Sequence, residues 1–153
     1  LNGKPFKLPC TIEELGENFT IKDCKKKNGN PFDESKEKFD YLVGVLTYDN
    51  IDVGYTYMFD DGNEECTIFG MDFFIPNTNI DKELININGI DLFSSRLDIE
   101  NKIGNLYSAS QNNRTYKFYV NDEAIITIIF SKDYEKKEIG DNILFISYYY
   151  TNI

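Results

Sequence analysis

The sequence predicts an α+β fold: two tandem repeats of a short helix plus an antiparallel meander, forming one curved antiparallel sheet with the helices on one face. Three observations carry this. A phrase recurs: Leu1-Asn2-Gly3 leads to Thr11-Ile12-Glu13-Glu14-Leu15-Gly16, and Ile87-Asn88-Gly89 leads to Asp98-Ile99-Glu100-Asn101-Lys102-Ile103-Gly104. The offset is 86 residues from Asn2 to Asn88 and 88 from Leu15 to Ile103, and recurrence at such a period marks one supersecondary unit used twice. Each phrase is followed by strand-like apolar runs in the same order, and strands joined by turns this short must run antiparallel. At 153 residues the chain is read as a single compact domain, 1–153, with a first repeat at 1–76 and a second at 77–153. Either half alone is marginal for an independent core, so a shared sheet is expected.

The elements follow in order. Lys4–Leu8 reads as a short extended piece. Thr11 caps a brief helix, with Glu14 three residues on completing a capping box and Gly16 stopping it. Phe19–Ile21 has strand character. Lys25 to Lys38, rich in glycine, asparagine, proline and charge, reads as a mobile solvated loop. Tyr41–Tyr48, Asp52–Phe59 and Glu65–Ile75 are strands, separated by Asp49-Asn50 and by Asp60-Asp61-Gly62-Asn63, whose Asp-Gly tolerates a left-handed backbone. After Asn77–Lys82 the second unit places a helix at Leu97–Ile103, stopped by Gly104. A hairpin of Thr115–Val120 and Ala124–Phe130 turns at Asn121-Asp122. A charged loop, Ser131 to Asp141, leads to a last strand, Ile143–Tyr150.

Composition narrows function by exclusion. An apolar fraction of 41% with 15% aromatics suffices for a packed core and excludes general disorder. The formal charge of −10, from 26 acids against 16 bases, opposes binding to phosphate backbones or anionic lipid. No run of 18 apolar residues is present to span a membrane as a helix. Histidine is absent, which removes the usual general base and the commonest metal ligand. No catalytic, metal or cofactor constellation emerges. Glu13 and Glu14 are adjacent, so on a helix they diverge by roughly 100° and serve better as first-turn acids. Ser94-Ser95 has no base to activate it. Asp60, Asp61, Asn63, Glu64 and Glu65 gather oxygens around a turn, but not at EF-hand spacing, and read as a solvated acidic hairpin.

The helix-glycine phrase followed by a meander, used in tandem, resembles the β-lactamase-inhibitor-protein or SmpA/OmlA type of repeat over nearly the whole chain. The helices here are single and short, where the inhibitor-type repeat carries a helix-loop-helix. Phe6-Lys7-Leu8-Pro9-Cys10-Thr11, with Cys66-Thr67-Ile68-Phe69-Gly70, resembles secreted lipoproteins of Gram-positive gut bacteria. The Ile, Asn, Lys and Tyr-rich style is similar to proteins of AT-rich clostridial genomes. These resemblances imply an exported, non-enzymatic domain that binds another protein, at the cell surface or anchored there by lipid attached outside this sequence. A chain opening on Leu1 fits a product from which a signal peptide has been removed.

Two groups of residues remain as candidates. Spacings among Cys10, Cys24 and Cys66 match no zinc or redox motif. In an exported protein Cys10 and Cys66 are the expected disulfide, worth about 4 kcal/mol, with Cys24 the odd thiol; in a reducing compartment all three would be buried thiols. The strands are apolar on both phases, where a sheet covered on one face should alternate. Phe69, Met71 and Phe73 oppose Ile68 and Phe74, while Ile143, Phe145 and Tyr149 oppose Leu144, Ile146, Tyr148 and Tyr150. Either a second face bearing Tyr48, Tyr55, Tyr57, Tyr148 and Tyr150 recognises a partner, or Asp23–Asp40 or a second copy in a homodimer covers it. A protein partner is the first expectation, and a small molecule or glycan held in a tyrosine-lined groove the alternative.

Overall fold

The computed structural model of the protein describes residues 1, 4–62, 66–74, 85–87, 89–91, 93–103, 107–109, 115–121, 123–133 and 138–152. Its order is α1 (Ile12–Leu15), β1 (Phe19–Gly29), β2 (Phe39–Tyr48), β3 (Ile51–Phe59), β4 (Ile68–Phe74), α2 (Arg96–Ile103), β5 (Tyr107–Ala109), β6 (Thr115–Asn121), β7 (Ala124–Asp133) and β8 (Glu138–Tyr150). All eight strands join one antiparallel sheet in the order β1-β2-β3-β4-β8-β7-β6-β5. Each half of the chain runs as a helix and a four-stranded meander, and the last strands of the two meanders pair at the centre. The predicted α+β class and antiparallel pairing are what the structure has.

Local chemistry explains the helix ends. Glu14 Oε2 accepts from the Thr11 backbone N–H at 2.7 Å, the reach-back half of the capping box. Gly16, at φ 109, closes α1 by donating its N–H to Glu13 at 3.1 Å. Ser95 caps α2: its Oγ accepts from Asp98 N–H at 3.1 Å and donates to Asp98 Oδ2 at 2.7 Å. Gly104, the predicted stop, lies outside the described residues.

Leu15 of α1 and Ile99 and Ile103 of α2 enter one apolar core with Leu46, Met58, Ile68, Met71, Phe73, Ile126, Ile128, Phe130 and Ile146 of the strands. Both helices therefore cover the same sheet face. The N-terminal piece seals it: Leu8 is fully buried, and Cys10 bridges Ile68 through reciprocal backbone bonds of 3.0 and 2.7 Å.

Two loop expectations are corrected. Lys25, Lys26 and Lys27 belong to β1, whose pairing to β2 continues to Gly29 opposite Phe39. Sequence pattern hid this because β1 is an edge strand, exposed along most of its length, and lysine is a residue that edge strands tolerate. Lys26 is held there by Asp60 at 2.7 Å, with Lys22 on Asp52 at 2.7 Å. Likewise Ser131 to Asp141 is not one loop: β7 reaches Asp133 and β8 begins at Glu138, its partner, because backbone pairing persists beyond the apolar stretch. The strand predicted at Glu65–Ile75 is Ile68–Phe74 among the described residues; Glu65, Ile75, Asn77–Lys82 and the turn residues Asn63, Glu64 and Asp122 lie outside them.

Candidate functional site on the helix-free face of the sheet

Opposed residues of antiparallel strands share a face, so register defines the surface that neither helix covers. Tyr55 and Tyr57 of β3 face Val45 and Val43 of β2 on one side, and Asp72 and Gly70 of β4 on the other. Asp72 and Gly70 face Ser147 and Tyr149 of β8, which face Thr127 and Ile125 of β7. A bulge sits where Tyr57 pairs with Gly70 but Met58 pairs with Ile68, leaving Phe69 as the extra residue. Phe69 turns to the helix-free face, packing on Phe59 at 4.6 Å, Phe39 at 5.6 Å and Phe32 at 6.1 Å between ring centroids.

One end of this face is covered from within. Asn30 Oδ1 accepts from the N–H groups of Phe32 and Asp33 at 3.2 and 3.1 Å, and Ser35 Oγ donates to Asp33 Oδ1 at 2.6 Å. These bonds tie down the segment expected to be mobile and set Phe32 over Gly70. Its ring stacks on Tyr149 at 4.1 Å and meets Tyr57 edge-on at 4.8 Å. Gly70 leaves that space; a Cβ there would come within 2.3 Å of the Phe32 ring. The rest of the face is more open: Tyr55 is 43% exposed and packs on Phe74 at 5.8 Å.

Asp72 lies at the centre, half-buried. Tyr57 donates its phenol O–H to Oδ2 at 2.6 Å, and the Ser147 hydroxyl donates to Oδ1. No lysine or arginine among the described residues forms an ion pair with Asp72. Two neutral hydroxyls thus hold a carboxylate in an aromatic setting, which stabilises the charge without cancelling it. Burial first, then the charge and hydrogen bond of Asp72, push the Tyr57 phenol well above its ordinary value of 10.0. A raised folded-state pKa means that this contribution to stability is complete below pH 10 and is lost as pH rises above it. Alkaline titration followed by phenolate absorbance and circular dichroism is expected to show Tyr57 ionising only as the fold opens. Tyr57→Phe should lessen that alkaline loss while costing about 1 kcal/mol at neutral pH for the bond to Asp72. Ionisation of every tyrosine at pH 10 without loss of structure would refute the buried pair.

The structure divides the five predicted tyrosines. Tyr55 and Tyr57 share the helix-free face. Tyr148 and Tyr150 are on the helix side: Tyr148 is buried against Phe6 at 5.7 Å, and Tyr150 helps line a crevice with the Lys4–Leu8 piece. Tyr48 packs beside Phe19 at 4.9 Å against the same core. In β8 a register shift places Ile143 in the core opposite Phe130 and leaves Leu144 45% exposed, so the strict two-face alternation expected there fails. Sequence reasoning missed Asp72, Ser147 and Phe32. The signal for Asp72 was present: a lone carboxylate inside Phe69-Gly70-Met71-Asp72-Phe73-Phe74 must find hydrogen-bond partners.

The cysteines are free thiols, and the expected Cys10–Cys66 bond is not formed. Cys10 is sequestered: it is buried, and its backbone is bound to Ile68, two residues beyond Cys66. Among the described residues no group of three or more histidine, cysteine or acidic side chains is placed to hold a metal ion, and no helix is long and apolar enough to cross a membrane. No protein-family model, curated protein or solved structure matches this chain.

Proposed function

We propose that this protein is an exported, non-enzymatic binding domain, held at the cell surface as a lipoprotein, that recognises a basic protein partner through the helix-free face of its sheet. The two helix-plus-meander halves are read as copies of one repeat, joined where β4 meets β8. The observation that carries the reading is Asp72: a carboxylate with no ion-pair partner among the described residues, held by Tyr57 and Ser147 beside the exposed Tyr55 and the half-buried Phe74. Aromatic surface supplies contact area at low entropy cost, and a central desolvated charge supplies selectivity for an arginine or lysine. A net charge of −10 adds steering of a basic partner, which salt weakens. Export and lipid anchoring rest on the resemblance to Gram-positive lipoproteins, and the non-enzymatic reading rests on a sequence with no histidine and no catalytic constellation.

The test is affinity for basic extracellular proteins, measured by biolayer interferometry. Asp72→Asn and Tyr55→Ala are each expected to weaken binding at least about tenfold, or about 1.4 kcal/mol. Tyr48→Ala, on the other face, should leave the affinity within about twofold, as a change outside an interface does. A partner that binds the Asp72→Asn, Tyr55→Ala double variant at full strength would place recognition elsewhere.

A second reading, a glycan or other small molecule, is favoured by the same juxtaposition, because a sugar face packs on aromatic rings while its hydroxyls bond a carboxylate. It predicts thermal shifts with particular saccharides that disappear in Asp72→Asn; a protein binder should show none.

A further inference from the structure

We propose that Cys24 and Cys66 are the pair that closes as a disulfide, tying edge strand β1 to the chain entering β4, with Cys10 left as a buried thiol. A bulge starts the argument. β1–β2 pairing passes from Lys22 opposite Val45 to Lys25 opposite Val43, so Asp23 and Cys24 share the space of one residue. Asp23 takes the left-handed backbone, at φ 54, that makes this turn. The result carries Cys24 inward over β2. Its Sγ lies 3.1 Å from where a Cβ on Gly44 would be, and the Met58 methyl lies 3.4 Å from the same point. Gly44 is what admits the thiol to the helix side of the sheet.

Cys24 and Cys66 open on one cavity of about 470 Å³, walled by Ile12 of α1, Phe19 and Ile21 of β1, and Met58 of β3. Cys10 is not among its lining residues. Cys24 is exposed and Cys66 half-buried, so an oxidant can reach both. The Cys24 thiol is pushed above its ordinary value by burial first and by the charge of a Cys66 thiolate second, so the two groups sense one another across the cavity. Cys10 differs: burial and then Glu14 push its thiol up to about 12, so it stays protonated and inert.

The oxidant is a low-molecular-weight disulfide such as oxidised glutathione. The Cys24 thiolate attacks one of its sulfurs, breaking that S–S bond and releasing one glutathione thiolate. The Cys66 thiolate then attacks Cys24 Sγ in the mixed disulfide, forming the internal bond and expelling the second glutathione. Two protein thiols lose two electrons and two protons, and one disulfide becomes two thiols.

The experiment is incubation of the folded chain with oxidised glutathione at mildly alkaline pH, then alkylation, trypsin digestion and mass spectrometry without reduction. Cleavage after Lys7, Lys22, Lys25, Lys38 and Lys82 puts Cys10, Cys24 and Cys66 on three separate peptides. The expected product is the Cys24 peptide joined to the Cys66 peptide, with Cys10 alkylated only after unfolding. Cys10→Ser should leave that product unchanged, and Cys24→Ser should abolish it. A Cys10–Cys66 or Cys10–Cys24 link would overturn the assignment, as would glutathione retained on Cys24 with no internal bond. Because the wild-type chain alone gives the map, a variant that fails to fold does not blunt the test.

Discussion

Replacing Gly54 by alanine is expected to cost about 3 to 4 kcal/mol of folding stability, more than ordinary overpacking, because the obstruction is main chain. Gly54 lies buried in β3 opposite Phe73. A Cβ there would sit 1.9 Å from the Asp72 carbonyl oxygen and 3.2 Å from the Phe73 Cα. A flexible side chain could swing aside, but a ladder carbonyl moves only if β4 parts from β3. That displacement would also carry Asp72 away from Tyr57, so partner affinity should fall together with stability. Gly62→Ala is the control: among the described residues no atom beyond its chain neighbours lies within 4 Å of its Cβ, and the left-handed φ of 74 opposes the change. It should cost about 1 kcal/mol. Urea unfolding of both variants decides between them, and a Gly54→Ala midpoint equal to that of Gly62→Ala would mean that β3 and β4 do not approach so closely.

What was legible in the sequence is what depends on near neighbours. The Thr11–Glu14 reach-back, the Gly16 stop, the start of a helix near Asp98 and the cores of β2, β3, β6 and β7 all follow from residues a few positions apart. What was not legible depends on pairing. Lys25, Lys26 and Lys27 have no apolar signature of a strand, because an edge strand is specified by the neighbour it bonds to. The faces were misassigned for a related reason. Alternation assigns Phe69 to the side of Met71 and Phe73, and one inserted residue between Gly70 and Ile68 reverses that. A bulge leaves no local mark, since it is the partner strand that makes one residue surplus. The tyrosine set failed as a group for this reason: Tyr57 and Tyr148 look alike in sequence, yet one bonds Asp72 and the other is sealed under Phe6. The candidate site was half visible, as Tyr55 and Tyr57, and its centre was overlooked because a single aspartate among aromatics resembles an ordinary solvent-facing position.

Phe69→Ala is the sharpest test of that reversal. Phe69 is fully buried though it points away from both helices, and among the described residues the rings of Phe32, Phe39, Tyr41 and Phe59 pack on it there. Deleting a buried phenylalanine ring costs about 3 to 5 kcal/mol, since the surroundings only partly refill the void. Stability alone cannot report which face the ring is on, because a core phenylalanine would cost as much. Coupling can. Phe32 reaches the sheet only on the helix-free side, stacked on Tyr149, so Phe32→Ala and Phe69→Ala should interact in a double-mutant cycle by about 0.5 to 1.5 kcal/mol. A cycle with Phe73→Ala in place of Phe69→Ala should show no such coupling, because Phe73 belongs to the core beneath the helices. Equal coupling of Phe32 to both residues, or to neither, would remove the bulge as the device that turns β4 over. If the coupling is selective, the same bulge accounts for the site: turning Phe69 outward closes one end of the face with Phe32 and leaves Asp72 and Tyr55 as its open part.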